Sequence, residues 1–330
     1  MKDVLRIGLV GAGRIAASHG AAINNVPGAV LAAIAEPNPE AREAVTSQWG
    51  VPGFAAHDEA GFAELCDVAI VASPPVFHTQ IAIDLMAQGL DLLVEKPFAI
   101  DIDAAREMLA AADQYSRVIA VASKYRYSPD VREARRMVEE GAIGKVLSAE
   151  VTFSSEFDPI ERWHAIPSIS GGGVISDNAP HAADLVRYVL GPIEEVAASE
   201  GPRRPGLVVE DEATLLLVTP VVEVMTYLSW RRHIAAPYLK VIGDQGVLKL
   251  DWKSTELIRP GEVLQVGTGF DRMRAFQSNL TNFLESVSRR DLPSGARADA
   301  IAAVEVVAGL YRSLASGAVE RVTAPLSVSA

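Results

Sequence analysis

Three titratable residues, Lys96, Asp177 and His181, have the chemical types and local settings of an acid–base site. Lys96 stands in Glu95-Lys96-Pro97 directly after a short apolar run, and Pro97 would end a strand there because it lacks a backbone N–H. Burial lowers the pKa of a lysine, so a lysine held in a crevice can exchange protons near neutral pH. A lysine at a strand end is also often only a solvated charge, and this setting alone leaves both interpretations open.

Asp177 and His181 are four residues apart, so they share a face if one helix contains both. A histidine near a carboxylate is a good general acid or base, because the carboxylate can fix its tautomer. Pro180 fits the first turn of a helix and predicts a helix start near Asn178. The glycines at 171–173 precede this start and permit close approach of the backbone.

A metal site is the alternative interpretation of Asp177, His181 and Asp184. Their spacing is loose for metal ligands, and the single cysteine, Cys66, stands far away in the sequence, so we expect no metal. One cysteine cannot form an internal disulfide, and its place before an apolar run favours a small buried residue.

The segment 11–16, with the sequence GAGRIA, is the strongest local motif and has the form G-x-G-x-x-A. It follows an apolar run and opens an alanine-rich helical stretch, which is the context that a dinucleotide-binding fingerprint requires. The first glycine allows a tight turn, the second lets the backbone approach a pyrophosphate, and the small final residue permits close packing. We expect Gly11, Gly13, Arg14 and Ile15 at a dinucleotide; a plain strand–helix turn without a ligand is the alternative.

Glu36 follows the next apolar run, at the position where an acid accepts hydrogen bonds from an adenosine ribose. A carboxylate there would repel a 2′-phosphate, and Pro37 and Asn38 supply no arginine to hold one. The sequence therefore favours NAD over NADP, unless Glu36 merely faces solvent.

Ser73-Pro74-Pro75 follows the third apolar run, and its prolines stiffen the loop that starts the next helix. In a doubly wound sheet this loop borders the crevice outside the carboxyl ends of the strands, so we expect Ser73 and Pro74 at the cofactor. His78 falls in the first turn of that helix. It is assigned to the cofactor site, although a histidine there is equally often structural.

Apolar runs alternate with helical stretches over the first 124 residues, which predicts a parallel α/β sheet covered on both faces. Strands are expected at 5–10, 30–35, 68–72, 92–94 and 118–122, and helices near 14–25, 39–49, 75–88 and 101–115. Later strand-like segments follow one another, at 146–157, 214–218, 222–230, 239–242 and 247–250, with helices at 130–140, 178–190, 273–288 and 296–316. That succession predicts an α+β domain with a largely antiparallel sheet and helices on one face.

The chain of 330 residues exceeds the usual size of a single core, so two domains are expected. Its net charge of −12 repels nucleic-acid phosphates and anionic membrane surfaces. The first residues run directly into a strand-like segment without an apolar signal region, and no apolar run is long enough to span a bilayer. We expect a cytoplasmic protein whose partner is a small molecule, not a nucleic acid or a membrane.

Taken together, the motifs resemble those of the Gfo/Idh/MocA oxidoreductases. The G-x-G-x-x-A segment, Glu95-Lys96-Pro97 and the glycine-rich stretch before Asp177 and His181 stand in the order and spacing of that family. The segment 138–146 also looks like the family's entry into its second domain, so the resemblance covers nearly the whole chain.

The resemblance implies two domains. Residues 1–124 would form a Rossmann domain, and 125–330 a substrate-binding and oligomerisation domain with an open, mostly antiparallel sheet. One face of that sheet would carry helices, and the other would make the contacts of a homodimer or homotetramer.

The resemblance also implies roles for individual residues. Lys96 would contact the hydroxyl that is oxidised, His181 would be the general acid–base, and Asp177 would support it and bind substrate. Glu95 and Lys96 would also lie at the cofactor, with a cis peptide bond between Lys96 and Pro97. Hydride would pass between the nicotinamide and a substrate carbon, and the protein would hold the two atoms near contact distance.

Three segments depart from the pattern of the family. Lys124 stands where Asn is more frequent, and Trp163-His164 stands where Trp-Arg is frequent. Lys124, Trp163 and His164 are expected at the substrate, and a structural salt bridge is the alternative for Lys124. The stretch 178–180 lacks a usual glycine, which indicates unusual helix geometry near His181. Because of these departures, the resemblance does not indicate which substrate of the family this chain would bind, above all not a phosphorylated or carboxylated one.

The leading hypothesis is an NAD-dependent dehydrogenase that oxidises a secondary hydroxyl of a cyclitol, a sugar or a sugar derivative. One alternative is an enzyme that retains its NAD and uses transient oxidation for glycoside cleavage or elimination. Another is a non-catalytic NAD-binding regulator that responds to sugars. Retention of Lys96, Asp177 and His181 together argues against the regulator.

Overall fold

A computed structural model describes residues 4–290 and 296–322. The chain divides into two compact units. The first comprises Met1–Ser123 and Phe276–Ile301, and the second comprises Lys124–Ala275 and Ala302–Ala330.

The segment Phe276–Ile301 belongs to the first unit, whereas the expected division placed all of 125–330 in the second domain. Its packing shows why. Arg290 donates to both carboxylate oxygens of Asp91, at 3.0 and 2.9 Å, and Asp91 is buried. Phe276 lies edge-on to His19 with ring centroids 5.0 Å apart. The first unit is therefore built from two separate stretches of sequence.

The first unit contains a six-stranded sheet in which every strand is parallel to its neighbours. Its strands are β1 (Leu5–Val10), β2 (Ala29–Ala35), β3 (Gly53–Phe54), β4 (Val68–Val71), β5 (Asp91–Val94) and β6 (Ile119–Val121). The order β3-β2-β1-β4-β5-β6 reverses direction between β1 and β4. The loops after β1, β2, β4 and β5 therefore meet at one edge of the sheet, where ligands of such folds bind.

Four helices follow strands of this sheet: α1 (Arg14–Ile23), α2 (Pro39–Trp49), α3 (His78–Ala87) and α4 (Ile102–Gln114). Asn38 caps α2 as expected, because its side chain accepts a hydrogen bond from Ala41 N at 3.0 Å. The helix expected at 75–88 begins as a 3-10 turn, Pro75–Phe77, before α3. The parallel α/β architecture is confirmed.

The second unit contains a nine-stranded sheet. Its strands are β7 (Val146–Ser154), β8 (Glu195–Glu200), β9 (Glu212–Val218), β10 (Glu223–Ser229), β11 (Leu239–Gly243), β12 (Val247–Leu250), β13 (Thr255–Arg259), β14 (Glu262–Gly267) and β15 (Glu320–Arg321). Their order is β14-β13-β12-β11-β7-β10-β9-β8-β15, and β7 and β10 are parallel while the other described neighbours are antiparallel. The expected open, mostly antiparallel sheet is confirmed.

Helices α5 (Pro129–Glu139), the short α6 (Pro167–Ser170) and α7 (Val174–Leu190) belong to this unit, and α5 and α7 pack on the sheet. Two further helices, α8 (Arg272–Arg289) and α9 (Ala296–Ser316), contain boundaries between the units. The inward residues of β7, such as Val151 and Phe153, are buried, and alternate residues are exposed or half-buried. The core of the unit therefore lies between the helices and one face of the sheet.

The strands β8, β13 and β14 were not expected from the sequence. β8 reads EVAASE, with few large apolar residues, and the first four residues of β14 are exposed. Strands at or near a sheet edge bury little surface, so they carry little of the apolar alternation that reveals a strand.

Helix α7 begins at Val174, four residues before the expected start near Asn178, so Pro180 lies inside the helix and not in its first turn. The earlier start has a physical cause, because the carboxylate of Glu210 accepts hydrogen bonds from Gly173 N at 3.0 Å and Ile175 N at 3.1 Å. These backbone donors would otherwise have no partner at a helix N-terminus. As a result, Asp177 and His181 both lie within regular helix.

Within the described part of the chain, no helix has the length and apolar character needed to cross a membrane. The same residues contain no group of three or more His, Cys, Asp or Glu side chains that could hold a metal ion. Cys66 is buried, and burial raises the pKa of its thiol to about 12, as fits a packing residue.

Candidate active site

The turn after β1 has the geometry of a phosphate-binding loop. Gly11 has φ +98°, and a Cβ there would lie 2.7 Å from Ala72 O, so both backbone conformation and space require glycine. Gly13 caps α1, and a Cβ there would meet no protein atom within 4 Å. Ala16 is fully buried, whereas Arg14 is exposed and Ile15 half-buried in the first turn of α1. The space beside Gly13 and the helix N-terminus therefore fit a pyrophosphate.

Glu36, at the tip of β2, is held beside this loop. One carboxylate oxygen accepts a hydrogen bond from Ala12 N at 2.8 Å, and the other accepts one from Asn38 N at 2.9 Å. Glu36 is half-buried and anchored, not merely solvated. Arg42, which sequence reasoning did not consider, donates to the Glu36 carbonyl oxygen at 2.5 Å. A fixed anion therefore stands where a ribose hydroxyl would bind.

His78 is fully buried between two loops at the carboxyl edge of the sheet. Its Nε2 lies 2.9 Å from Ser73 O, and its Nδ1 lies 3.0 Å from Pro97 O. Burial lowers the pKa of this imidazole, while the two carbonyl oxygens act in the opposite direction. With no exposed surface, the side chain joins the loops that follow β4 and β5. The structure thus gives His78 a bracing position between the two loops, and its expected contact with the cofactor stays a prediction.

The segment Glu95-Lys96-Pro97 follows β5, and the Lys96–Pro97 peptide bond is cis, as the resemblance implied. Lys96 is half-buried. Glu95 is buried, and one of its oxygens accepts a hydrogen bond from Lys96 N at 3.1 Å. Its other oxygen lies 2.7 Å from Nε2 of His19, a residue that sequence reasoning missed. A polar residue on the buried face of α1, one turn after Ala16, was the available signal.

The glycines at 171–173 serve the start of α7. A Cβ on Gly173 would collide with Glu210 O, and one on Gly172 would collide with the hydroxyl of Tyr311. Tyr311 donates to Glu210 at 2.7 Å, and burial raises the pKa of Glu210 while its hydrogen bonds lower it. The glycine stretch therefore permits a close approach within the protein, and Glu210 and Tyr311 are supporting residues that the sequence pattern did not reveal.

His181 is buried in the second unit, and the structure brings Lys124 to it. Lys124 Nζ lies 3.2 Å from His181 Nε2, and the Tyr125 ring meets the imidazole edge-on at 5.0 Å. A lysine ammonium has only donors, so Nε2 accepts this hydrogen bond and carries a lone pair. The contact with the imidazole does not decide between a substrate role and a structural salt bridge for Lys124, and both stay predictions. Asp184 forms an ion pair with Arg126.

Asp177 lies one turn before His181 on α7 and accepts a hydrogen bond from Trp230 Nε1 at 3.2 Å. Trp230 is buried and was not singled out in the sequence. The half-buried rings of Trp163 and His164 stack with their centroids 3.7 Å apart. The His164 ring centroid lies 6.3 Å from that of Trp230. The rings of Trp230, His164 and Trp163 therefore form a cluster within the second unit that begins at Asp177.

The described geometry can be compared with known proteins. Residues 5–123 match the model of the oxidoreductase family with an NAD-binding Rossmann fold, Gfo/Idh/MocA, and 131–249 match a C-terminal domain of the same family. Levoglucosan dehydrogenase of Pseudarthrobacter phenanthrenivorans is 31% identical over 208 residues, which cover 59% of this chain and 53% of that protein. Inositol 2-dehydrogenase of Corynebacterium glutamicum is 28% identical over 198 residues, covering 58% and 56%.

D-apiose dehydrogenase of Paraburkholderia graminis is 27% identical over 252 residues, 73% of this chain and 66% of that protein. The chain thus spans between half and two thirds of the length of these curated relatives. Among solved structures, levoglucosan dehydrogenase in complex with NADH superposes with a TM-score of 0.88 at 22% identity, over 97% of this chain and all of that one. The chain belongs to the Gfo/Idh/MocA family of oxidoreductases.

Proposed function

We propose that this protein is an NAD-dependent dehydrogenase that oxidises a secondary hydroxyl of a neutral sugar, cyclitol or sugar derivative. The observation that carries the proposal is the buried imidazole of His181, whose Nε2 lies 3.2 Å from the Lys124 ammonium. An imidazole nitrogen that accepts a hydrogen bond can also take up a proton at the same atom, as a general base must. Similarity to dehydrogenases of levoglucosan, inositol and apiose supports the substrate class.

The proposed chemistry assigns one role to each of three residues. In the substrate complex the hydroxyl takes the place of the Lys124 donor at His181 Nε2, which accepts its proton, and Asp177 accepts hydrogen bonds from the sugar. Lys96 donates a hydrogen bond to the oxygen that loses its proton, which stabilises the developing negative charge. NAD⁺, when bound, supplies the two-electron acceptor. The products are then a carbonyl compound, NADH and one proton.

The aromatic residues near Asp177 support an uncharged substrate. Trp163 and His164 present stacked rings, and no arginine stands at position 164 to pair with a phosphate or a carboxylate. Ring faces suit the apolar faces of sugars, and an uncharged sugar needs no cationic side chain to bind it.

The proposal is tested by NADH formation with a panel of inositols, aldoses, anhydrosugars and glycosides, with NAD⁺ and NADP⁺ assayed in parallel. Turnover of one polyol with NAD⁺ is expected. Silence across the panel, with NAD⁺ still binding in calorimetry, would contradict the dehydrogenase and favour a protein that retains its cofactor or a sugar-responsive regulator.

The preference for NAD⁺ is attributed to Glu36. Replacing Glu36 with alanine removes the acceptor for the ribose hydroxyl and the repulsion of a 2′-phosphate. We expect the ratio of kcat/KM for NAD⁺ to that for NADP⁺ to fall at least about tenfold. Glu40→Ala, an exposed acid in the first turn of α2, is the matched control and should leave the ratio unchanged. An unchanged ratio in the Glu36 variant would remove this residue from the ribose site.

We also propose that a second copy of this chain covers the outward face of the nine-stranded sheet. Met225 on β10 pairs with Leu216 on β9, and Met225 is 50% exposed. Ile242 on β11 pairs with Val247 on β12 on the same outward face of the sheet. The same face also carries the ion pairs Lys240–Glu150 and Lys249–Glu256, so the proposed contact is partly polar. Light scattering should give the mass of a dimer or tetramer, and Met225→Arg should reduce that mass; a monomeric unmodified protein would contradict the proposal.

A further inference from the structure

Two buried imidazoles hold the segment that carries Lys96. His19 reaches it from α1 through the carboxylate of Glu95, and His78 reaches it from α3 through the carbonyl oxygen of Pro97. The four residues 95–98 contain Lys96 as the one half-buried side chain among buried neighbours. The segment is therefore fixed on both sides of the lysine.

The contact of His19 is the more specific of the two. His19 Nε2 and Glu95 Oε1 are 2.7 Å apart, with exposed side-chain fractions of 3% and 9%. The second oxygen of the same carboxylate accepts the hydrogen bond from Lys96 N at 3.1 Å. One carboxylate thus joins the helix of the dinucleotide loop to the backbone of the proposed substrate-binding lysine.

A carboxylate buried to this degree needs donors on both oxygens, because an unsatisfied buried charge is costly. If His19 is removed, Glu95 loses a donor on Oε1 and is expected to change its orientation. Its bond to Lys96 N then weakens, and Lys96 loses its fixed place at the edge of the sheet. α1 begins at the phosphate-binding loop, so His19 also ties this place to the helix that faces the cofactor.

We propose that His19 is a positioning residue for Lys96 that acts through Glu95, and that His78 supports the same segment from α3. The inference rests on the proposed function, which gives Lys96 its role at the substrate hydroxyl. Neither imidazole touches the reacting atoms in this scheme, and the effect on turnover comes from the placement of the lysine.

The test compares His19→Ala and His19→Gln with His57→Ala. His57 is a matched control in the same unit, since its Nε2 lies 2.9 Å from Asp84 Oδ2 in another histidine–carboxylate pair. We expect His19→Ala to lower kcat by about 10- to 100-fold, which is the usual effect of misplacing a reacting group by about 1 Å. The KM for NAD⁺ and its affinity in calorimetry should change less than about threefold. His57→Ala should behave as the unmodified protein.

His19→Gln supplies the rescue, because a glutamine amide can donate to Glu95 and should restore part of kcat. This variant also carries the test if His19→Ala does not fold. Crystal structures of the variants give a readout that does not depend on turnover, and they should show Lys96 displaced in His19→Ala and restored in His19→Gln. An unmoved Lys96, or a loss of NAD⁺ affinity as large as the loss of kcat, would overturn the positioning role.

Lys96→Met separates failure of this inference from failure of the proposed function. Loss of turnover in Lys96→Met together with a normal rate in His19→Ala would overturn the inference and leave the function standing. Normal turnover in Lys96→Met would overturn the role of the lysine, and with it the reason for positioning it.

Discussion

Lys96→Met is expected to lower kcat by about a thousandfold, because positioned groups that stabilise charge on a reacting oxygen each contribute about 10²–10³. Methionine keeps much of the length and apolar volume of the side chain and removes its donors. The substitution leaves the backbone N–H of residue 96 in place, so the bond to Glu95 persists. The measurement is steady-state kinetics with the sugar or cyclitol found in the substrate panel, together with calorimetry of NAD⁺ binding.

The result has a simple control. Lys145 is an exposed lysine, and Lys145→Met should retain full turnover. Affinity for NAD⁺ in Lys96→Met should stay within about threefold of the unmodified protein, as expected when a group acts mainly on the reacting substrate. A near-normal kcat would exclude Lys96 from the chemistry.

His181→Ala is expected to lower kcat by about 10²–10⁴, the usual contribution of a general acid–base residue. The loss should be largest below neutral pH, because solvent hydroxide can replace the missing base as the pH rises. The pH–rate profile of the variant therefore tests whether the imidazole transfers the proton, and not only whether activity needs the imidazole.

His233 provides the comparison for this variant, since it is an exposed histidine of the same unit. His233→Ala should leave both the rate and its pH profile unchanged. If His181→Ala lost activity only because the helix was damaged, its thermal unfolding temperature would fall and its pH profile would keep its shape. That outcome would contradict a role in proton transfer.

The architecture could be predicted from the sequence because the central strands of both sheets bury apolar residues in a regular pattern. The continuous apolar runs of β1, β4 and β5 and the fingerprint after β1 define the parallel sheet and its switch point. The weakly patterned strands β8 and β14 were missed because their side chains are half-buried or exposed for most of their length. The start of α7 was placed too late, because its cap is Glu210, a residue distant in sequence.

The candidate site was predictable in its motifs and less so in its contacts. Gly11 could be identified locally, since its role depends on its own turn. The partners of buried polar groups could not be, because they come from other elements: His19 for Glu95, Trp230 for Asp177 and Lys124 for His181. Short-range spacing indicates which residues share a face, and only the tertiary structure shows which group satisfies each of them.

The return of Phe276–Ile301 to the first unit has a consequence for the order in which the protein is made. Asp91, at the start of β5, is buried and depends on Arg290 for its cation. When the six parallel strands have left the ribosome, that arginine has not yet been synthesised. Asp91 then keeps the hydrogen bond from Val118 N at 2.7 Å but lacks its cation, which destabilises a buried carboxylate. The nucleotide-binding half can therefore complete its packing only after most of the other half has emerged. For the same reason, a fragment that ends at Ser123 lacks part of the first unit, and we do not expect it to fold as an independent Rossmann domain.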